Sequence, residues 1–215
     1  MLGRAVFLDR DGVINSYVYH PELGTVDSPA NAAEFSLLPG VGRAIVRLNQ
    51  LGLLVFVVSN QPGIAKGKFT VSQLHAMTNK MIRLIRTEGG RVDAVYYCRH
   101  HPDAVLPLYR KDCDCRKPKP GMILSAARDW NIDVKGSYVV GDGIGDLLAG
   151  QSVGSTTLFI SGRRCYVCDE LARNNVAPNF VVRDLGEAAD VVGCLEGGER
   201  NSAGRFALRC MVTSK

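Results

Sequence analysis

The sequence predicts an α/β fold, a doubly wound parallel sheet with helices on both faces, and three observations predict it. Short apolar runs of the length of fully buried strands recur along the chain. Between them lie stretches whose apolar residues follow helical spacing, and this alternation of strand and helix implies right-handed crossovers and a parallel sheet. Several runs stop abruptly at polar residues, where the loops of an open α/β sheet converge on ligands.

The elements follow in order. Ala5 to Leu8 is a buried strand that halts at Asp9-Arg10-Asp11-Gly12, and Gly12 lets the chain turn away sharply. Ser16 to Leu38 lacks helical or strand periodicity and carries Pro21, Gly24 and Pro29, so it reads as a long loop of lid type. Pro39-Gly40 opens a helix on Val41, Ala44, Ile45 and Leu48 that ends near Gly52. Leu53 to Val58 is the second strand, and it ends in Ser59-Asn60-Gln61-Pro62-Gly63. Thr70 caps a helix that buries Leu74, Met77, Met81, Leu84 and Ile85 and runs to Gly89-Gly90.

Val92 to Tyr97 is the third strand. Gly121 to Trp130 is helical, Ser137 to Gly141 is a strand ending at Asp142, and a helix occupies Gly143 to Gly150. Thr156 to Ile160 is the fifth strand, followed by Gly162-Arg163-Arg164, and Ala177 to Val182 and Leu185 to Leu195 supply a last strand and helix. The expected organisation is one domain over residues 1–196 with a small loop insert at 98–115, no large cap domain, and a loosely held tail over 197–215.

Composition narrows the function classes. A chain of 215 residues, 46% hydrophobic and 22% charged, is neither disordered nor membranous. No apolar stretch approaches the roughly 20 residues of a membrane span. The N-terminus has neither the pattern of a signal peptide nor that of an anchor, so a cytoplasmic location is the default expectation, with no membrane partner. The net charge of +5 comes from scattered lysines and arginines, which suits a small phosphorylated substrate better than a nucleic-acid track. A monomer is expected.

Asp9 and Asp11 open the chemistry. Alternation along the extended chain points both carboxylates to one side, so one can attack a substrate while the other handles a proton. Ser59, with Asn60 and the backbone N–H groups beside it, forms a candidate phosphate cradle at the second strand end. Arg116-Lys117-Pro118-Lys119-Pro120 presents cations rigidly at a helix N-terminus, an arrangement that suits an anion. Each stretch alone has a bland alternative, a solvated turn. Their joint occurrence at strand ends argues for a site.

Seven cysteines, an odd number without an export signal, read as thiols or metal ligands rather than a disulfide framework. Cys98-Arg99-His100-His101 and Cys113-Asp114-Cys115 offer two close pairs. Cys98, His100, Cys113 and Cys115 would close all four positions of a tetrahedral zinc, a structural site with no place left for substrate; His101 is the rival ligand. Cys165-Tyr166-Val167-Cys168 is read as helix-start thiols.

Phe7-Leu8-Asp9-Arg10-Asp11-Gly12-Val13-Ile14-Asn15 resembles the first motif of the haloacid dehalogenase superfamily of phosphohydrolases, in the branch with the heptose bisphosphate and histidinol phosphatases. The likeness spans about residues 4 to 160. It makes Ser59 the second motif, a holder of phosphoryl oxygen, and Ile64 to Thr70 looks like the following loop. Lys117 becomes the third motif, on the transferring phosphoryl group, and Arg116 the extra basic residue for the substrate. The fourth motif is Asp142 with Asp146. The Cys-x-His and Cys-x-Cys-Arg-Lys-Pro pairing favours His100 over His101.

The resemblance implies a magnesium-dependent phosphomonoesterase. Asp9, the carbonyl oxygen of Asp11 and Asp142 would hold Mg2+, with Asp146 supporting them from behind. Asp9 would form an aspartyl phosphate and Asp11 would act as acid and then base. A heptose 1,7-bisphosphate losing its 7-phosphate is the first substrate expectation; histidinol phosphate and other small sugar phosphates follow. From another class, a zinc-stabilised nucleic-acid-binding module would use the +5 charge, but Asp9, Asp11 and Asp142 would repel phosphates unless a metal intervened. Two features depart from the heptose phosphatases: Gly143 stands where a lysine is common, and the 16–38 loop is longer and richer in proline.

Overall fold

Every strand of the main sheet runs parallel to its neighbours, in the order β5 (Ala94–Cys98), β4 (Leu54–Asn60), β1 (Ala5–Leu8), β6 (Tyr138–Gly141), β7 (Thr156–Ile160) and β8 (Phe180–Val182). The computed structural model describes residues 2–162 and 166–197. The helices are α1 (Val41–Gln50), α2 (Val71–Thr87), α3 (Gly121–Trp130), α4 (Ile144–Ser152), α5 (Val167–Arg173) and α6 (Leu185–Glu196). This is the expected doubly wound architecture, helices on both faces included.

The strand sequences explain the two layers. Alternate residues of β1 point to opposite faces, and all four are fully buried. Val6 and Leu8 join Val55, Val57, Val140 and Leu158 against Ala44, Ile45 and Leu48 of α1, Met77 and Met81 of α2, and Val192 of α6. Ala5 and Phe7 join Phe56, Val58 and Val139 against Met122, Ile123 and Ala126 of α3 and Ala149 of α4. Phe56 centres an aromatic group on this second face, with ring centroids 5.5 Å from both Phe7 and Trp130. Strands covered on both sides have to be apolar throughout, which is why they read as continuous runs rather than alternating ones.

Local signals match the expected boundaries. Thr70 caps α2 in a reciprocal box: Gln73 N–H donates to its hydroxyl at 3.2 Å and the Thr70 N–H donates to Gln73 Oε1 at 2.8 Å. The last strand is shorter than predicted, Phe180–Val182 rather than 177–182, because Asn179 turns its side chain to Thr157 and takes its N–H and hydroxyl.

One expectation is corrected. The 16–38 segment contains an antiparallel hairpin, β2 (Val18–His20) with β3 (Thr25–Asp27), joined through Pro21 to Gly24. Three-residue strands whose side chains are all exposed or half-buried are too short to show a period. The segment is fastened rather than loose: Lys68 pairs with Asp27, and Lys80 Nζ donates to the Ala32 carbonyl at 2.7 Å. Arg163, Arg164, Cys165 and residues 198–215 of the expected tail lie outside the described residues. Among the described residues no helix is long and apolar enough to cross a membrane.

β1 lies between β4 and β6, and the chain visits β4 and β5 before it crosses to β6 and β7. The order therefore reverses at β1, and such a reversal opens a crevice at the carboxyl ends of the strands. Asp9, Ser59 and Asp142 all stand at that edge.

Candidate active site

Asp9 leaves β1 with its backbone still bound to the sheet, its N–H donating to Val140 O at 3.0 Å. The chain then closes a tight loop in which Ile14 and Asn15 both donate to Arg10 O, at 2.8 and 3.0 Å. Gly12 makes the loop possible. Its φ is +83°, and a Cβ there would stand 2.1 Å from Asp142 Oδ2. The absence of a side chain is what lets the first strand end and the fourth-motif aspartate meet.

Lys117 is the cation at the centre. It is buried, and its Nζ lies 2.9 Å from Asp9 Oδ1, 2.5 Å from Asp146 Oδ1 and 2.7 Å from Val58 O. Three donors thus have three acceptors. Its backbone is gripped by Asn60, whose Nδ2 donates to Lys117 O at 3.0 Å while its Oδ1 accepts from Lys117 N at 3.1 Å. Burial works against the charged lysine, but Asp146 and Asp9 outweigh it and raise Lys117 above its ordinary value. Burial pushes Asp146 up to about 6, with Lys117 pulling it down and Asp9 adding to the rise. Asp146 also accepts the Gly143 N–H at 3.1 Å, so it caps α4 with its other oxygen.

Asp11 has a different set of partners. Its carboxylate receives Arg10 Nε at 3.2 Å and Nη2 at 3.0 Å, Asn15 Nδ2 at 2.9 Å and Gln61 Nε2 at 2.9 Å. The expected extension of strand alternation to Asp9 and Asp11 stops at Leu8, and the two carboxylates face separate networks. Burial alone would raise Asp11, yet the Arg10 guanidinium, with Asn15 and Gln61, outweighs it and holds Asp11 below the usual carboxylate range.

Three residues of this site escaped the sequence reading. Arg10 is 0% exposed, its guanidinium 5.9 Å from the Tyr97 ring centroid. Gln61 read as a turn residue. Tyr17, whose hydroxyl donates to Asp142 Oδ2 at 2.8 Å, sits in the segment taken for loop, and no local pattern marks it.

Two groups of side chains have the donors of a metal site. Carboxylate oxygens of Asp9, Asp142 and Asp146 lie within 4.8 Å of one another, and an all-oxygen set suits a hard cation. Sulfurs of Cys98, Cys113 and Cys115 and Nδ1 of His100 form the second group: Cys98–Cys113 3.5 Å, Cys113–Cys115 3.3 Å, Cys115–His100 3.5 Å and Cys98–His100 3.9 Å. A tetrahedral zinc with Zn–S of about 2.3 Å and Zn–N of about 2.0 Å has edges of about 3.5 to 3.8 Å, so the four atoms fit it. The sulfurs are too far apart for a disulfide of about 2.05 Å. His101 instead accepts the Asp103 N–H through Nδ1 at 3.1 Å, outside this group. Arg116 projects next to the cluster, its Nη1 3.3 Å from His100 O.

The Arg10–Asp11 pair generates a pH-dependent prediction. Arg10→Met leaves a buried carboxylate without its ion partner, which costs about 3–5 kcal/mol at pH 7. The depressed value of Asp11 means that its stabilising contribution is present above the ordinary 3.8 and is lost as pH falls through the folded value. In Arg10→Met the same carboxyl is raised, so its penalty appears as pH rises above 3.8. The stability deficit measured by urea unfolding should therefore shrink steadily from pH 7 to pH 4; a deficit independent of pH would show that the pair carries no such charge coupling.

Known proteins resemble the chain in sequence and in fold. A family profile described as HAD-hydrolase-like matches residues 114–188. The D-glycero-beta-D-manno-heptose-1,7-bisphosphate 7-phosphatase of Photorhabdus laumondii is 38% identical over 172 residues, 79% of this chain and 87% of that protein. The enzyme of the same name from Escherichia coli K12 is 40% identical over 161 residues, 74% of this chain and 80% of its own. Among solved structures, the D,D-heptose 1,7-bisphosphate phosphatase from B. bronchiseptica, complexed with magnesium and phosphate, superposes with a TM-score of 0.73 at 34% identity, covering 88% of this chain and 97% of that one. A HAD-like phosphatase from Mesorhizobium loti gives a TM-score of 0.74 at 35% identity, covering 94% and 90%. With relatives of this identity over three quarters of its length, the chain belongs to the haloacid dehalogenase family of phosphatases, in the branch of the heptose bisphosphate phosphatases.

Proposed function

We propose that the chain is a magnesium-dependent phosphatase that removes the 7-phosphate of D-glycero-D-manno-heptose 1,7-bisphosphate through an aspartyl phosphate on Asp9. The observation that carries the chemistry is the buried Lys117 ammonium 2.9 Å from Asp9, beside Ser59 and Asp142 at one sheet edge. The substrate rests on the names of the relatives and on Arg116, a cation held next to the cluster by its contact with His100 O.

In this reading the Asp9 carboxylate attacks phosphorus and gives up its contact with Lys117, so that Lys117 and the Ser59 hydroxyl hold the phosphoryl oxygens. Magnesium, held by Asp9, Asp142 and the carbonyl of Asp11, would supply shielding of negative charge when bound. Asp146 keeps Lys117 protonated and in place. Asp11 gives a proton to the leaving alkoxide and then withdraws one from the attacking water. The resting site, with Asp11 ionised by Arg10, is arranged for the second of these steps. The first requires Asp11 to take up a proton against that pull.

The four-ligand cluster binds zinc and shapes the chain from Cys98 to Cys115, which enters Arg116 and Lys117 directly. The protein acts as a single domain over 1–196 and as a monomer, on a small phosphorylated substrate.

Asp9→Asn keeps the side-chain shape and removes the nucleophile, so turnover of heptose bisphosphate should fall to background while the melting temperature holds; substantial phosphate release would rule out Asp9. Cys113→Ser should lose the one zinc per chain found by metal analysis of the purified protein, with a drop in melting temperature, and the wild type should still need added magnesium. Absence of zinc from freshly prepared, reduced wild type would remove the structural site. Arg116→Ala should lower kcat/KM about ten- to a hundredfold on the bisphosphate, chiefly through KM, and far less on a monophosphate. Equal losses on both substrates would assign Arg116 to the transferring phosphoryl group.

A further inference from the structure

We propose that Gln61 is a positioning residue that turns the Ser59 hydroxyl proton toward the phosphoryl group while it holds the Asp11 carboxylate. The inference rests on the reading of Ser59 as a phosphate contact.

Gln61 is 1% exposed, and its Nε2 lies 2.9 Å from Asp11 Oδ2 and 3.1 Å from Ser59 Oγ. An amide nitrogen carries two hydrogens and no acceptor site, so both contacts are donations. The opposite orientation of the amide would set its oxygen against the Asp11 carboxylate, and the chemistry excludes it. Ser59 is therefore an acceptor toward Gln61. A hydroxyl has a single proton, and one that accepts from a fixed donor keeps that proton for another partner. At the end of β4, beside Lys117, that partner is an anionic oxygen.

The amide is held from behind by the main chain. Gln61 N–H donates to Cys98 O at 2.7 Å, which continues the β4–β5 pairing one residue past Asn60. The carbonyl that fixes Gln61 thus belongs to the first residue of the sulfur cluster. Asp11 and Ser59 come from different strand ends, and Gln61 ties them to a common distance and orientation.

The test uses inorganic phosphate binding to the magnesium-loaded protein, in a cycle of wild type, Gln61→Met, Ser59→Ala and the double variant. Methionine keeps the length and bulk and removes both donors. The Kd for phosphate should rise about tenfold in each single variant, and the double variant should match Ser59→Ala within about twofold, because Gln61 acts through Ser59. Gln61→Asn, which withdraws the amide by one methylene, should give the same pattern and serves if the methionine variant does not fold. Independent losses that multiply in the double variant, or unchanged phosphate binding in both Gln61 variants, overturn the inference while leaving the phosphatase reading intact. A wild type that binds no phosphate and hydrolyses no phosphate ester overturns both.

Discussion

The contact on which the rest of the site depends is the buried ammonium of Lys117 between Asp9 and Asp146. Two carboxylates at the closed end of a crevice repel each other, and each loses hydration. A lysine whose three donors all find oxygen acceptors turns that repulsion into a stable arrangement and leaves Asp9 aligned at the strand end. Much of the neighbouring structure serves to put this one amine in place. Asn60 grips the Lys117 main chain from β4, Asp146 is fixed by the first turn of α4, and the sulfur cluster ends only two residues upstream, at Cys115. A structural metal there would act on catalysis by fixing the approach of the chain to Lys117, with no contact to substrate.

The same logic separates two aspartates that stand only two positions apart. Asp9 faces a shared lysine and Asp11 faces a private guanidinium, so one short stretch yields two carboxylates with different partners and different orientations. Arg10 makes this possible by turning inward. A solvated arginine in its place would leave the buried Asp11 carboxylate with only the Asn15 and Gln61 amides. The cost of burying a guanidinium is offset by the bidentate contact with Asp11 and by the face of Tyr97.

What could be read from the sequence follows from how local each signal is. The strand Ala5–Leu8 was legible because a strand covered on both faces must be apolar at every position, and the Thr70 cap because its partner lies three residues away. The sulfur cluster was legible because tetrahedral ligation constrains spacing within each pair. Arg10 was not, since a charge between two aspartates gives no sign of which way it points. Gln61 has the composition of a turn and acquires its role only from the register of β4 against β5. The hairpin of 18–27 was missed because its strands are three residues long with no buried position to mark a face, and Tyr17 with it.

Tyr17 shows how the specific part of the molecule is joined to its chemistry. The tyrosine belongs to the 16–38 segment, and its hydroxyl rests on Asp142, 125 positions along the chain. The hairpin that follows is anchored to Lys68 and, beyond it, the chain to Lys80, so the segment is positioned by the 64–70 loop and by α2 together. Gly143 is the complementary case. Asp146 is held there through a backbone N–H, which any residue but proline would supply, so the Asp146–Lys117–Asp9 line does not depend on the side chain at 143. The strand-end constellation is therefore fixed by main-chain and carboxylate contacts that leave the side chain at 143 and most of 16–38 outside it.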